Sequence, residues 1–174
     1  MPESPRIGIL TVSDRASRGD YPDASGPAVR AALDDLLVSP WISVEQLVAD
    51  DAGGIEDALI ELVDAHGCVL VLTTGGTGPT MRDVTPDATR AVCGRELPGL
   101  GEAMRQASAG RVPTAMLSRQ TAAIRGTSLI VNLPGSPAGA TECLTAVLPA
   151  LVHCIALLTS EQLTPAARPP EPHH

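Results

Sequence analysis

Apolar positions along the chain change period several times, and each change marks an element. "RIGILTVS" (6–13) is a short run rich in β-branched residues and reads as a buried first strand. The polar loop "DRASRGDYPDASG" follows it. From about Pro27, "PAVRAALDDLL" has helical spacing with Pro in the first turn. "WISVEQLVA" (41–49) alternates as a second strand. "GIEDALIELVDAHG" puts Ile55, Leu59, Leu62 and Val63 on one helical face and stops at Gly67. "CVLVLTT" (68–74) is apolar on both faces, as a central parallel strand is.

The second half continues the pattern. "TPDATRAVCG" predicts a helix with Thr85 as N-cap and Pro86 at the first helical position. "GLGEAMRQASAG" is a further short helix, and "AAIRGTSLIVNLPGSP" holds two strands, the second ending in a Pro-Gly-Ser-Pro turn. "AGATECLTAVLPALVHCIALL" (138–158) is one long apolar helix that Pro149 should bend or rob of a hydrogen bond. The alternation predicts a single α/β domain over residues 5–160, with a mostly parallel sheet and helices on both faces. Residues 161–174 are rich in proline and poor in apolar side chains, which predicts a disordered tail.

Composition narrows the chemistry. Tyr21 and Trp41 are the only aromatic residues of 174 and the net charge is −8, so neither base stacking nor phosphate-backbone attraction favours nucleic acid. Cys68, Cys93, Cys143 and Cys154 form no C-x-x-C pair and read as small core residues. His66, His153, His173 and His174 make no ligand pattern. No uninterrupted apolar run approaches membrane-spanning length, and Pro2, Glu3 and Pro5 do not make a leader, so the expected location is cytoplasmic. All twelve basic side chains are Arg. Without Lys, "GGTGPT" is no Walker A loop, and Schiff-base chemistry is excluded.

In a parallel sheet, ligands bind at the carboxyl ends of the strands beside a topological switch point. Four loops qualify: Ser13-Asp14-Arg15, Asp50-Asp51, 75–87 and Pro134-Gly135-Ser136-Pro137. Gly75, Gly76 and Gly78 clear side chains from backbone N–H groups that could meet an anion, and Thr77 adds a hydroxyl; a tight turn alone would also use these glycines. Asp50 and Asp83 lie just past apolar strand ends, where a converging pair could hold Mg²⁺ shared with phosphates. Each alone also suits a cap, and Asp51 competes with Asp50 on spacing. Arg82 could supply the positive charge that the missing Lys does not, and Ser13, Asp14 and Ser136 could orient a ligand or shape a turn. Asp87 reads as a first-turn acid complementing the helix dipole.

"LVLTTGGTGPTMRDVTPDAT" resembles the signature of the molybdopterin adenylyltransferase family of molybdenum cofactor biosynthesis, the MogA/MoaB type. "TVSDRASRG", "ELPGLGEAMR", "AMLSRQ" and "LIVNLPGSP" are similar to its other segments in the same order, so the resemblance covers residues 6–158. It implies a three-layer α/β sandwich, usually trimeric, that transfers AMP from Mg·ATP to the terminal phosphate of molybdopterin. The product then passes to a molybdate-inserting partner enzyme. The family's two essential aspartates match Asp50 and Asp83, and its phosphate-binding loops match Gly75–Gly78 and Pro134–Ser136. Two alternatives remain open: a pterin-binding protein without transfer activity, and a nucleotide pyrophosphatase of related fold.

Overall fold

The computed structural model describes residues 3–167. Strands β1 (Arg6–Val12), β2 (Ile42–Val48), β3 (Leu70–Thr74), β4 (Arg95–Glu96), β5 (Ala122–Arg125) and β6 (Ser128–Leu133) form one sheet in the order β2-β1-β3-β6-β5-β4. The first four in that order run parallel, and β5 and β4 add an antiparallel edge. Helices α1 (Asp14–Ser17), α2 (Ser25–Leu36), α3 (Ala52–Ile60), α4 (Thr85–Val92), α5 (Pro98–Ala109) and α6 (Pro137–Leu158) complete a three-layer sandwich. The expected architecture is the observed one.

Side-chain alternation along the central strands sorts the core into two layers. Ile7, Ile9, Leu70, Leu72, Leu129 and Val131 pack with Val29, Leu33, Met104 and the buried stripe of α6. Leu10, Val71 and Ile130 point the other way, onto Ile55, Leu59, Leu62 and Ala88 of the α3–α4 layer. With both faces covered, alternation in polarity is lost, which is why these strands read as continuous apolar runs. A π-helical turn (Glu61–Ala65) closes the α3 segment, and Gly67 ends it with φ +67°.

Several local expectations need correction. Ser13 caps a short helix, α1, in place of a plain polar loop. Thr85 is the first residue of α4 rather than its cap; Val84 holds the cap position, so the motif lies one residue out of register. Helix α6 passes Pro149 without interruption, because that residue lies on the exposed side and its missing N–H leaves only one ladder position unfilled. Contrary to the membrane-span expectation, α6 is long and apolar enough to cross a bilayer, with mean hydropathy 1.8. Cys143, Leu144, Val147, Leu148, Leu151 and Ile155 instead bury one stripe of it against the domain core.

The tail expectation fails over residues 161–167. Leu163 is buried in the α2–α6 layer, and the chain beside it runs along the end of α2. Val38 N–H donates to the Thr164 carbonyl (2.9 Å), Ala166 N–H to the Leu36 carbonyl (2.7 Å), and Thr164 N–H to Ser39 Oγ (2.8 Å). One buried leucine and three hydrogen bonds anchor a segment whose average composition looks unstructured. Residues 168–174, including His173 and His174, lie outside the described residues.

Leu163→Ala should lower unfolding free energy by about 2–3 kcal/mol, because it opens a cavity in a closed layer. Urea denaturation measures this, and amide exchange at Val38 and Ala166 should accelerate in the variant. Unchanged stability would mean that the segment contributes nothing to the core.

Candidate functional site

The loops after β1, β2, β3 and β6 meet at the carboxyl end of the sheet. Strand order turns outward on either side of β1 and β3, so their loops part above a cleft. Ser13 N–H donates to the Val48 carbonyl (2.9 Å), Gly75 N–H to the Leu133 carbonyl (3.3 Å), and Thr74 Oγ1 to the Pro134 carbonyl (2.7 Å). Helices α3, α4 and α6 begin here, so the positive ends of three helix dipoles lie at this end of the sheet.

Glycine permits the loops to approach. Gly75 has φ +103°, and a methyl there would overlap the Val12 carbonyl oxygen. A methyl at Gly135 would lie 3.3 Å from Gly75 Cα, so the β3 and β6 loops meet backbone to backbone. Thr77 is buried and Gly78 half-buried, with no room for a side chain at residue 78: it would sit 2.8 Å from Asp83 Oδ2.

Asp50 and Asp83 lie close enough at this seam for the Asp83 carboxylate to act on Asp50. Asp50 and Asp14 exchange bonds: Asp14 N–H donates to Asp50 Oδ2 and Asp50 N–H to Asp14 Oδ1, both 2.9 Å. Burial, and then the nearby Asp83 carboxylate, raise the pKa of Asp50 above its ordinary value. Asp83 Oδ2 accepts from Thr80 N–H (3.0 Å) and Thr80 Oγ1 (2.6 Å), which fixes its rotamer. Asp51 turns away and caps α3, accepting from Gly54 N–H at 2.8 Å. The two candidates on spacing thus occupy different environments.

The remaining predicted residues divide in two. Arg82 pairs with Asp14, although its own side chain is 72% exposed, so it reaches over the cleft from the loop tip. Ser13 and Ser136 spend their hydroxyls as caps, accepting from Ala16 N–H (3.2 Å) and Gly139 N–H (3.1 Å). Thr77, Gly78, Pro134 and Ser136 line a cavity of about 500 Å³ whose far wall comes from Ser108, Arg111, Ser118, Gln120 and Glu142. Neither carboxylate lines that cavity; Gly78 is the shared wall between it and Asp83.

Sequence reasoning missed this far wall and its supports. Arg111 and Glu142 form an ion pair there. Arg119 donates to the Asp83 carbonyl (3.1 Å) and to Asp87 Oδ1 (2.5 Å), so Asp87 has a partner beyond the helix dipole. Thr85 Oγ1 is buried against Gly76 with no hydrogen-bond partner, and Asn132 Oδ1 is likewise buried and unpaired. The "AMLSRQ" segment was the available signal for Arg119, but a lone Arg in a polar loop has no pattern that separates it from a solvated one. Burial raises the thiols of Cys68 and Cys93 to about 11, which keeps them protonated and inert.

Fold and loops together define a doubly wound α/β domain with a glycine-lined seam between carboxylates at its switch point. The chain belongs to the family described as "Probable molybdopterin binding domain", which matches residues 8–153. It is 52% identical over 152 residues to the molybdopterin adenylyltransferase of Helicobacter pylori strain ATCC 700392 / 26695, covering 87% of this chain and 86% of that one. It is 54% identical over 142 residues to the Escherichia coli K12 molybdopterin adenylyltransferase, covering 82% and 73%. Among solved structures, the molybdopterin biosynthesis enzyme MoaB of Thermus thermophilus superposes with TM-score 0.82 at 46% identity, covering 90% of this chain and 98% of that one.

Asp50 titrates higher in the folded chain than its ordinary 3.8, so its contribution to stability is greatest below that value. The contribution is lost as pH rises through the folded pKa. Asp50→Asn should therefore leave the melting temperature at pH 7 unchanged or higher. Asp51→Ala should cost about 1 kcal/mol through the lost cap. Carboxyl NMR titration of the metal-free protein should also show the Asp50 pKa falling in Asp83→Asn. A larger stability loss for Asp50→Asn than for Asp51→Ala would reverse the assignment of strain and cap.

Proposed function

We propose that the chain is a molybdopterin adenylyltransferase that moves AMP from ATP to the terminal phosphate of molybdopterin and releases pyrophosphate. The observation that carries this reading is the Asp50–Asp83 pair beside a seam cleared of side chains. A pterin phosphate oxygen would attack the α-phosphorus, forming one P–O bond as the bond to the pyrophosphate oxygen breaks. The protein supplies no covalent nucleophile; positioning and electrostatics suffice for this class of transfer.

Magnesium fits the donor set in one mode. No group of three or more His, Cys, Asp or Glu residues suited to a metal occurs among the described residues, so a cage made by protein alone is absent there. Two carboxylates sharing an ion with substrate phosphates is the ordinary Mg²⁺ arrangement, and a cation there would offset the burial and the Asp83 repulsion that raise the pKa of Asp50. When bound by Asp50 and Asp83, Mg²⁺ would neutralise charge developing on pyrophosphate. Backbone amides of Gly76–Gly78 and the amides beside Gly135 would hold phosphate oxygens. Arg82, released from Asp14, would add a cation where negative charge accumulates.

On the same reading the protein is a cytoplasmic homotrimer that hands its product to a molybdate-inserting enzyme. Helix α6 supports the assembly: Ala146, Pro149, Ala150, His153 and Leu157 face outward, and Leu157 is 73% exposed. Light scattering at micromolar concentration should give three times the chain mass, and a monomer would remove this part of the proposal.

Molybdopterin with Mg·ATP should yield pyrophosphate and adenylylated pterin in equal amounts. Asp83→Asn and Asp50→Asn should keep pterin affinity while turnover falls by at least about 10²-fold, since metal stabilisation of the transition state is worth several kcal/mol. Pterin binding without pyrophosphate release by the unaltered chain would overturn the transferase reading. Near-normal transfer in both variants would overturn the metal assignment.

A further inference from the structure

We propose that Arg119 is a positioning residue: it fixes Asp83 and makes that position depend on what fills the neighbouring cavity of about 500 Å³. The proposal rests on the reading of Asp83 as a metal-holding carboxylate. Residues 118–120 form a short bar between the 3₁₀ turn Pro113–Leu117 and β5. Ser118 and Gln120 line the cavity. Arg119, between them, reaches the glycine loop instead.

Three bonds tie that loop to Arg119. Its backbone N–H donates to the Thr77 carbonyl (2.8 Å), Nη1 to the Asp83 carbonyl (3.1 Å) and Nη2 to Asp87 Oδ1 (2.5 Å). One residue thereby holds the incoming arm of the loop, the carboxylate-bearing position and the helix that follows. Between these anchors, residues 79–82 are exposed, and Met81 is 95% exposed. Within the exposed tip, Thr80 bonds Asp83 and Arg82 pairs with Asp14. Both restraints come from the tip itself, whereas Arg119 grips the loop from a separate segment of the chain.

The bar is braced as one unit. Arg105 Nη1 donates to the carbonyls of Ser118 (3.2 Å) and Gln120 (2.8 Å), and Gly101 of α5 packs so closely that a methyl there would overlap the Gln120 carbonyl. Gln120 is buried, and its Nε2 rests against Met104 Sδ (3.6 Å) and Cys143 Sγ (3.5 Å). A ligand in the cavity meets Ser118 and Gln120 directly, and any shift of the bar moves Arg119 and Asp83 with it. The planar guanidinium fork suits this work, because it bonds two acceptors four residues apart in one rigid geometry; a lysine ammonium does not.

Mn²⁺, reported by electron paramagnetic resonance, is the metal probe, with a non-hydrolysable ATP analogue and with or without molybdopterin. In the unaltered protein molybdopterin should tighten Mn²⁺ binding. Arg119→Lys should weaken Mn²⁺ and lower kcat on the order of 10- to 100-fold, as loss of a group that orients a metal ligand does. Pterin affinity should stay unchanged, the tightening by pterin should vanish, and excess Mn²⁺ should restore part of the turnover. Asp87→Asn loosens only one prong and should shift the same quantities less, which keeps the test informative if Arg119→Lys folds poorly. A lower melting temperature with native Mn²⁺ affinity, coupling and kcat would overturn the proposal and leave Arg119 a structural strap. Asp83→Asn runs in parallel. If it keeps native Mn²⁺ affinity and transfer, the reading of Asp83 fails and this proposal with it; if it loses both while Arg119→Lys loses neither, only the positioning role fails.

Discussion

At residue 75 the chain has no space for a side chain, and the arrangement of the site depends on that. Gly75 presses on the Val12 carbonyl from one side and meets Gly135 from the other, at φ +103°. The contact draws the ends of β1, β3 and β6 together more closely than any L side chain permits. The loops leading to α4 and α6 leave from those strand ends, so the glycine loop that bears Asp83 and the Pro134–Pro137 turn are both placed by one backbone contact. A scaffold of this kind holds the seam rigidly while leaving its rim open.

Electrostatics at the seam run against stability and in favour of chemistry. Asp14, Asp50 and Asp83 gather at the seam, and Arg82 pairs with Asp14 there. Burial already disfavours a charged Asp50, and Asp83 disfavours it further. A fold selected for stability alone has no reason to bring these groups together. Asp51, one residue away, shows the ordinary use of an acid at such a place, as a helix cap. The contrast favours Asp50 as the functional member of the pair, consistent with perturbed groups clustering in clefts.

The apolar framework is built almost without aromatic rings, and close packing of aliphatic side chains replaces them. Gly8 illustrates the tolerance: a methyl there would come within 3.3 Å of both Leu62 methyls. Helix α6 contributes a full stripe to one layer and keeps a second apolar face outward, where an oligomer contact would cover it. Leu163 closes the same layer from beyond the last helix. Beneath the glycine loop this framework admits a polar cluster, where Asn132 spans Thr73 and Thr89.

Much of this was legible in the sequence, for identifiable reasons. The run "CVLVLTT" read as a strand buried on both faces, and helical spacing fixed the inward side of Ile55, Leu59 and Leu62. Parallel strands require crossovers, so the alternation of periods also fixed the layers and the edge where ligands bind. The glycine and carboxylate loops were found because their residue types are out of place at strand ends. Local pattern could not choose between Asp50 and Asp51, since both follow the same strand and differ only in which carboxylate finds Gly54 N–H and which finds Asp14. It could not find Arg119, whose partners lie 32 and 36 residues away, or the hold of Leu163 on a proline-rich tail. Periodicity records which way a side chain faces along its own element; which distant group it meets is decided only when the chain closes on itself.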